Sequence, residues 1–326
     1  VDQNQWNELQ RQQSFLNRIC RATYPPGSIF KIVSFAAALE TGIVDTNSSW
    51  YCCGYSVLNE RHYHCARKEG HGELTLKQAF AHSCNIPLFD IARRIDIDTV
   101  AHYAKIFGLG THTNTVLQED TGLIPNREWK RRVKGERWWL GETLSAVIGQ
   151  SFNLVTPLQI ARMIASVETG YLTSLRITED MPIVKEPLKI KPETRNFLQQ
   201  AMYAATMKGT ARRLSYLNDF IIRSKTSTAQ TSALHKKKMS ADYLEHGWFA
   251  ANFSYKGMPA LTLVVLTEKT GGTQLPIQIA MEFLKGYRTL IEQKKQSKIV
   301  VPNDTAAPLT SACYADKNTD SEDTFV

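Results

Sequence analysis

The sequence lacks the features of a membrane-spanning, fibrous or nucleic-acid-binding protein. Its longest candidate apolar segments, near Ile160–Ala165 and Leu261–Leu266, are far shorter than the about 18 residues that cross a bilayer. It has no internal repeat, and hydrophobic residues at 43% with charged residues at 21% exclude a wholly disordered chain and a collagen-like fibre. The net charge of +8 comes with no nucleic-acid-binding module, and the basic clusters at Arg127–Arg137 and Lys236–Lys238 are typical of solvated surfaces. We therefore expect no nucleic-acid partner.

The cysteines are unevenly distributed along the chain. Four of the six cysteines lie between positions 52 and 84, together with four of the eight histidines. Clustered Cys and His residues indicate a metal site more than a disulfide framework. Three thiolates and one imidazole form a closed tetrahedral site for a structural zinc ion, and we predict the ligands Cys52, Cys65, His71 and Cys84.

The residues leave alternatives to this zinc site open. Cys53 could replace Cys52 as a ligand, and His64 could replace His71. In an oxidising compartment, Cys52 or Cys53 could instead form a disulfide with Cys65. Cys84 could be a small buried filler.

The order of predicted elements indicates a mixed α/β (α+β) fold, with an antiparallel sheet flanked by helices. A turn over Tyr24–Gly27 precedes an apolar helix over 28–40, and a Thr-Pro cap begins a helix over 157–170. Three β-rich runs then predict an antiparallel meander: Phe220–Ile222 with Ser224–Thr228, Gly247–Phe253 and Leu261–Thr267. The last run is almost wholly apolar, which is typical of a strand buried on both faces. A helix over 276–291 closes the predicted fold.

Composition also divides the chain along its length. Residues 1–16 are rich in Gln, Asn and Arg and predict a linker from an upstream domain. Residues 17–292 form one predicted domain, with an irregular Cys/His insert at about 45–73 and a helical subdomain at about 74–170. From residue 293 the chain becomes polar and poor in apolar residues, which predicts a disordered tail over 293–326.

The first indication of chemistry is the pair Ser28 and Lys31, directly after a Pro-Pro-Gly turn. Three residues apart on a helix, the hydroxyl and the amine share one face. A buried lysine near other cations loses its proton near neutral pH and then serves as a base. By itself the pair is weak, since a capping serine followed by a surface lysine has the same spacing.

Two further motifs also carry groups suited to catalysis, and each also has a purely structural interpretation. Ser83 and Asn85 lie at a break between two predicted helices, where a turn directs a hydroxyl and an amide into a cleft, although a helix cap has the same composition. Lys225, Thr226, Ser227 and Thr228 lie in a predicted strand, and a lysine in a buried strand needs a reason. The alternative interpretation of Lys225 is a charged residue on an edge strand.

In this order, S-x-x-K, S-x-N and a late-strand K-T-x-T form the signature of penicillin-recognising serine enzymes. The chain resembles the transpeptidase domain of class B penicillin-binding proteins, and most closely the elongation-type penicillin-binding protein 2 group. The resemblance runs from about Asn17 to Ile291. It includes further segments that occur in the same order: Tyr24–Ser28, Gly70–Gly72, Pro125–Lys130, Ile148–Gln150, Thr156–Gln159, Gly209–Ala211 and Thr228–Gln230.

The resemblance implies a serine D,D-transpeptidase that cross-links peptidoglycan through an acyl-enzyme on Ser28. Lys31 would accept the serine proton, and Ser83 would relay a proton to the leaving amine. Asn85 would hold the substrate amide, and Lys225 would keep Lys31 neutral.

The same resemblance assigns the binding groups of the strand motif. The hydroxyls of Thr226 and Thr228 would bind the terminal carboxylate of a D-alanyl-D-alanine stem peptide, and backbone N–H groups of Ser28 and Thr228 would form the oxyanion hole. No organic cofactor is implied, and β-lactams would acylate the same serine. Relatives often carry acid, Cys or His residues at the positions of the predicted zinc ligands.

The strand motif departs from the family at Ser227, where a glycine is usual. Glycine lets a strand approach a ligand closely, so the serine side chain either points away harmlessly or crowds the cleft.

Two other functions remain open for the chain. One is a β-lactam hydrolase or sensor of the same fold, although no water-activating acid motif is evident. The other is a non-catalytic envelope scaffold.

The resemblance also implies a location and partners. We expect the catalytic domain on the periplasmic side of the inner (cytoplasmic) membrane, held by an N-terminal anchor upstream of Val1, since no charged-then-apolar leader follows that residue. We also expect an upstream non-catalytic pedestal domain in the same protein. The expected partners are a glycan polymerase and shape-determining membrane proteins.

Overall fold

The computed structural model of the protein describes residues 2–11, 14–230 and 244–299. The predicted basic cluster Lys236–Lys238 and most of the predicted disordered tail, from residue 300, lie outside these ranges. The chain divides into two units, Val1–Leu284 and Lys285–Val326. Of the second unit, the structure describes the end of one helix.

Helices dominate the middle of the described chain and an antiparallel meander lies near its end, as predicted. The helices are α1 (Gln3–Arg11), α2 (Lys31–Glu40), α3 (Leu76–Ala81), α4 (Ile86–Ala92), α5 (Ile97–Ile106), α6 (Arg127–Lys134), α7 (Leu140–Ala146), α8 (Pro157–Thr169), α9 (Pro192–Met207) and α10 (Gln274–Ile299), with 3-10 turns at Gly27–Phe30 and Arg212–Leu214. The strands are β1 (Ser49–Cys52), β2 (Tyr55–Leu58), β3 (Arg61–His64), β4 (Gly72–Thr75), β5 (Tyr171–Thr173), β6 (Lys185–Pro187), β7 (Phe220–Ala229), β8 (His246–Tyr255) and β9 (Leu261–Thr267). The predicted mixed fold class is confirmed.

The main sheet is the predicted antiparallel meander, in the order β7-β8-β9. Lys225 pairs with Ala250, and Gly247 of β8 pairs with Thr267 of β9. The prediction that Leu261–Thr267 is buried on both faces is wrong. Within the described residues β9 pairs with β8 alone, and Leu261 is 44% exposed. Residues 262–266 are all half-buried, so the apolar composition belongs to a partly covered edge strand.

Helix α2 passes through the middle of the core. Eight of its residues are buried, among them Lys31 and Phe35. The same cluster includes Phe89 of α4, Met163 of α8 and Trp248 of β8. Burying an apolar side chain of this size contributes about 1.5–3 kcal/mol. This packing of α2 carries the Lys31 amine into the interior.

Helix α8 follows its local signals, and the predicted bounds are confirmed. The side chain of Thr156 accepts a hydrogen bond from the N–H of Gln159, and the Gln159 side chain accepts one from the N–H of Thr156. This reciprocal cap satisfies two N–H groups that the first turn leaves unpaired. The helix ends at Gly170, which has the left-handed φ of +78°.

The Cys/His insert contains more regular structure than the irregular segment we expected. Strand β1 pairs with β4, and β2 pairs with β3 in a hairpin. Asn59 and Glu60 connect the hairpin with φ values of +46° and +63°, as in the tight turns that match the twist of paired strands. Because each strand has only four residues, composition alone gave little sign of them.

The ends of the described chain also differ from expectation. Residues 3–11 of the expected linker form α1, which has no buried residues. Helix α10 continues to Ile299, past the expected start of the tail at residue 293. Among the described residues, no helix has the length and apolar character needed to cross a membrane.

Candidate active site

Ser28 lies in the 3-10 turn that leads directly into α2. The preceding Gly27 has a φ of +51°, and its N–H donates to Gly149 O over 2.9 Å. One turn further along α2, Ser34 Oγ donates to Val147 O over 2.6 Å. These bonds fix the start of α2 to the segment after α7, so the position of Ser28 is set by the backbone on both sides.

Lys31 is fully buried at the first position of α2 and reaches the turn between α3 and α4. Its Nζ donates to Asn85 Oδ1 over 2.6 Å, to Ser83 O over 2.6 Å and to Cys84 O over 3.2 Å, and it lies 3.3 Å from Ser83 Oγ. Burial lowers the pKa of Lys31 to about 8 because the charged amine loses its hydration. A neutral lysine, able to accept a proton, is thus accessible near physiological pH.

Lys225 approaches the same serine from β7. Its side chain is fully buried, and its Nζ donates to Ser83 Oγ over 2.9 Å and to Thr226 O over 2.9 Å. Burial lowers the pKa of Lys225 well below its usual range, and the charge of Lys31 lowers it further. Two amines from distant segments thus flank one hydroxyl.

The turn that carries Ser83 is strained. Ser83 has a φ of +55°, a left-handed conformation that costs about 1–3 kcal/mol for a residue with a Cβ and that tends to occur at functional sites. The next motif residue, Asn85, accepts from Lys31 and donates from its Nδ2 to His64 O over 2.9 Å. The β2–β3 hairpin therefore holds one end of the Asn85 amide and Lys31 holds the other.

The threonines of the strand motif differ in exposure. Thr228 is exposed, whereas Thr226 is buried and its hydroxyl donates to Thr210 Oγ1 over 2.7 Å. Thr210 belongs to one of the segments that carry the family resemblance, but the resemblance assigned it no role. The partner of Asn85, a backbone carbonyl, has no sequence signal at all.

Ser227 is buried, with 2% of its surface exposed. It lies on the same face of β7 as Lys225, because side chains alternate along a strand. A Cβ built on Gly27 would lie only 2.3 Å from Ser227 Oγ. The serine that replaces the usual glycine thus packs beneath the turn that holds Ser28.

The four predicted metal ligands lie together. Their nearest ligand atoms are all within 4.8 Å of one another. Cys52 Sγ and Cys65 Sγ lie 3.5 Å and 3.6 Å from His71 Nδ1, and the two sulfurs of Cys65 and Cys84 are 3.8 Å apart. A tetrahedral zinc ion requires about 3.8 Å between two sulfurs and about 3.5 Å between sulfur and nitrogen, given Zn–S near 2.3 Å and Zn–N near 2.0–2.1 Å. The donor set fits zinc in both chemistry and spacing.

The alternative ligands lie elsewhere. Cys53 is exposed and its Sγ donates to Tyr55 O, and the ring of His64 stacks on that of His62. Cys65 Sγ donates to Cys84 Sγ over 3.8 Å. This contact lowers the pKa of the Cys65 thiol and raises the pKa of the Cys84 thiol.

Comparisons with known proteins agree on one family. The family model described as the penicillin binding protein transpeptidase domain matches residues 1–285. The peptidoglycan D,D-transpeptidase MrdA of Haemophilus influenzae is 28% identical over 289 residues, which are 82% of this chain and 44% of that protein. The chain thus spans less than half the length of this curated relative.

Solved structures share the fold. The penicillin-binding protein PBP2 of Helicobacter pylori, in a complex with MreC, superposes with a TM-score of 0.79 at 24% identity, over 90% of this chain and 54% of that one. A structure described as the coordination of polymerization and crosslinking by a peptidoglycan synthase complex superposes with a TM-score of 0.74 at 29% identity, over 86% of this chain and 48% of that one.

Proposed function

Because this chain belongs to the family of penicillin-binding protein transpeptidase domains, we propose that it is a serine D,D-transpeptidase that cross-links peptidoglycan stem peptides. The observation that carries the proposal is the buried network in which Lys31 and Lys225, from two distant segments, both reach Ser83. Two buried lysines around one hydroxyl do not stabilise the fold, because burying either charge is costly.

In the proposed acylation, Ser28 Oγ attacks the carbonyl between the two D-alanines of the stem peptide. Neutral Lys31 accepts the hydroxyl proton as the new C–O bond forms. Backbone N–H groups of Ser28 and Thr228 stabilise the oxyanion. Ser83, supplied with a proton through its bonds to the lysines, protonates the leaving amine, and the terminal D-alanine departs as the C–N bond breaks.

In the proposed second half, an amine of a neighbouring stem peptide attacks the acyl-enzyme. It loses a proton to the site, and Ser28 regains one as the ester bond breaks, which restores the enzyme and leaves the cross-link. Asn85 holds the donor's peptide amide, and the hydroxyls of Thr226 and Thr228 bind the terminal carboxylate. A β-lactam acylates the same serine, and its leaving group stays attached.

We also propose that Cys52, Cys65, His71 and Cys84 hold a structural zinc ion. When bound, the ion would join the insert to the catalytic turn, since Cys84 stands between the two motif residues of that turn. Four protein ligands leave no position for water, so the ion would take no part in the chemistry. Elemental analysis of protein purified without added metal should find one equivalent.

The cellular setting is a further part of the proposal. The relatives named MrdA and the PBP2–MreC complex support an elongation-type enzyme that works on the periplasmic side of the inner membrane. Its partners would be a glycan polymerase and shape-determining membrane proteins, and an upstream segment would anchor it.

Intact-mass measurement after incubation with benzylpenicillin tests the activity. We expect one added penicillin, mapped to the peptide that contains Ser28, and no addition to the Ser28→Ala variant. Ser215→Ala, which removes a hydroxyl from a turn outside the catalytic motifs, is the matched control and should label normally. Labelling of Ser28→Ala at another residue would overturn the assignment of the nucleophile.

The lifetime of the acyl-enzyme separates the proposed function from a hydrolase. An adduct that persists for many minutes supports a transpeptidase. Turnover within seconds would favour a β-lactam hydrolase, and no adduct at all would favour the scaffold.

A further inference from the structure

Thr210 contacts the strand that carries the proposed carboxylate-binding hydroxyls. Thr226, 3% exposed, donates its hydroxyl proton to Thr210 Oγ1 over 2.7 Å. A threonine hydroxyl has a single proton. In this arrangement Thr226 therefore has no proton left for a substrate carboxylate, although that is the task proposed for it. Thr210 itself is exposed, so its own proton is accessible from the solvent side.

The position of Thr210 is fixed by close backbone packing. Its N–H donates to Ala81 O over 3.2 Å, and Ala81 lies two residues before Ser83. At the preceding Gly209, a Cβ would lie only 2.2 Å from the same carbonyl oxygen, so a glycine is required for this approach. Thr210 thus connects the end of α3 with β7. Its position is fixed relative to the Ser83–Asn85 motif and to the Lys225–Thr228 motif.

We infer that Thr210 is a positioning residue for the terminal carboxylate of the substrate, an inference that rests on the proposed function. When the carboxylate binds, the Thr226 hydroxyl rotates to donate to it, and the Thr210 hydroxyl turns to donate to Thr226 Oγ1. Hydroxyl hydrogens rotate to suit their partners, so no proton leaves either oxygen. Hydrogen bonds in series polarise one another, which makes Thr226 a stronger donor to the anion.

The test compares benzylpenicillin with its methyl ester, in which a methyl group removes the negative charge of the carboxylate. Thr210→Val keeps the shape of the side chain but removes the hydroxyl, and Thr210→Ser restores it. We expect the acylation rate constant of Thr210→Val with benzylpenicillin to fall about tenfold, as for a lost hydrogen bond to a charged group. With the ester it should stay within about twofold, and Thr210→Ser should resemble the parent with both ligands.

Ser215→Ala is the control, because its hydroxyl lies in the following turn and donates to Arg212 O over 2.8 Å. It should leave both rate constants unchanged. An equal loss with acid and ester in Thr210→Val, or no loss with the acid, would overturn the positioning role while the proposed function stands. If benzylpenicillin does not label the parent protein, the proposed function fails and this inference fails with it.

Discussion

Replacing Ser227 with alanine should stabilise the protein. The side chain is 2% exposed, and its hydroxyl has no hydrogen-bond partner among the atoms that the structure describes. Burying a hydroxyl without a partner costs about 1–3 kcal/mol. Alanine removes that cost and keeps both the Cβ and the strand backbone. Some dispersion contacts with the turn at Gly27 are lost, so we expect a net gain of about 1 kcal/mol in the free energy of unfolding.

Ser224 offers a matched control on the same strand. It is fully buried as well, but its hydroxyl shares a hydrogen bond of 2.7 Å with Thr206 Oγ1. Ser224→Ala removes that partner from Thr206, which is itself 2% exposed, and should lower the free energy of unfolding by about 1–2 kcal/mol. The two alanine variants are thus expected to change stability in opposite directions.

Urea unfolding at equilibrium measures both variants. A changed midpoint at constant slope reports stability alone, and thermal midpoints should move in the same sense, by about 2–4 °C for each kcal/mol. If Ser227→Ala loses as much stability as Ser224→Ala, the Ser227 hydroxyl has a partner and the reasoning is refuted. A variant that gains stability but no longer binds penicillin would show that Ser227 also shapes the cleft.

Three further changes test other parts of the molecule. Cys84→Ser should reduce the zinc content and lower the thermal midpoint, by elemental analysis and calorimetry; full zinc at an unchanged midpoint would remove Cys84 from the ligand set. Lys225→Met should slow acylation by benzylpenicillin about 100-fold or more, because Ser83 Oγ loses its donor at 2.9 Å; a rate within about tenfold of the parent would contradict that role. Glu142→Gln should cost about 2–3 kcal/mol in urea, because Lys130, 2% exposed, loses its partner at 2.5 Å. Glu136→Gln, at the same lysine but 63% exposed, should cost less than about 1 kcal/mol, and equal losses would contradict the burial argument.

The parts of the fold that the sequence predicted depend on signals within a few residues of one another. Helix α8 begins at a threonine-proline cap and ends at a left-handed glycine, and both signals act through hydrogen bonds inside the first or last turn. The meander β7–β9 was predicted from β-rich runs separated by turn residues in the same way. Local chemistry was sufficient in both cases.

The missed features depend on residues far away in the chain. Strand β1 pairs with β4 across the whole insert, Ser49 with Thr75, and no local pattern selects such a partner. The burial of β9 depends on which elements pack against its two faces, which its own apolar composition does not reveal. Periodicity gives the type of an element, whereas its neighbours decide its burial.

The candidate site shows the same division. The family resemblance predicted that Ser28, Ser83 and Lys225 meet, and the structure brings Lys225 within 2.9 Å of Ser83. The resemblance did not predict that His64 O accepts a hydrogen bond from the Asn85 amide. Every residue has a backbone carbonyl, and the sequence does not mark the one that binds. The contact of Thr226 with Thr210 had only a weak signal in the sequence. Thr210 lies in a segment that carries the family resemblance, but that segment had no assigned role.

The strained turn at Ser83 explains why the insert and the catalytic motifs are linked. Its left-handed backbone is unfavourable for a serine and persists only where surrounding contacts determine it. Lys31 holds the Ser83 carbonyl over 2.6 Å, Lys225 holds the hydroxyl over 2.9 Å, and the next residue, Cys84, lies 3.8 Å from Cys65 in the Cys/His cluster. Contacts from α2, from β7 and from the insert therefore converge on two consecutive residues. A zinc ion that orders the insert would, by the same contacts, hold Ser83 between the two lysines.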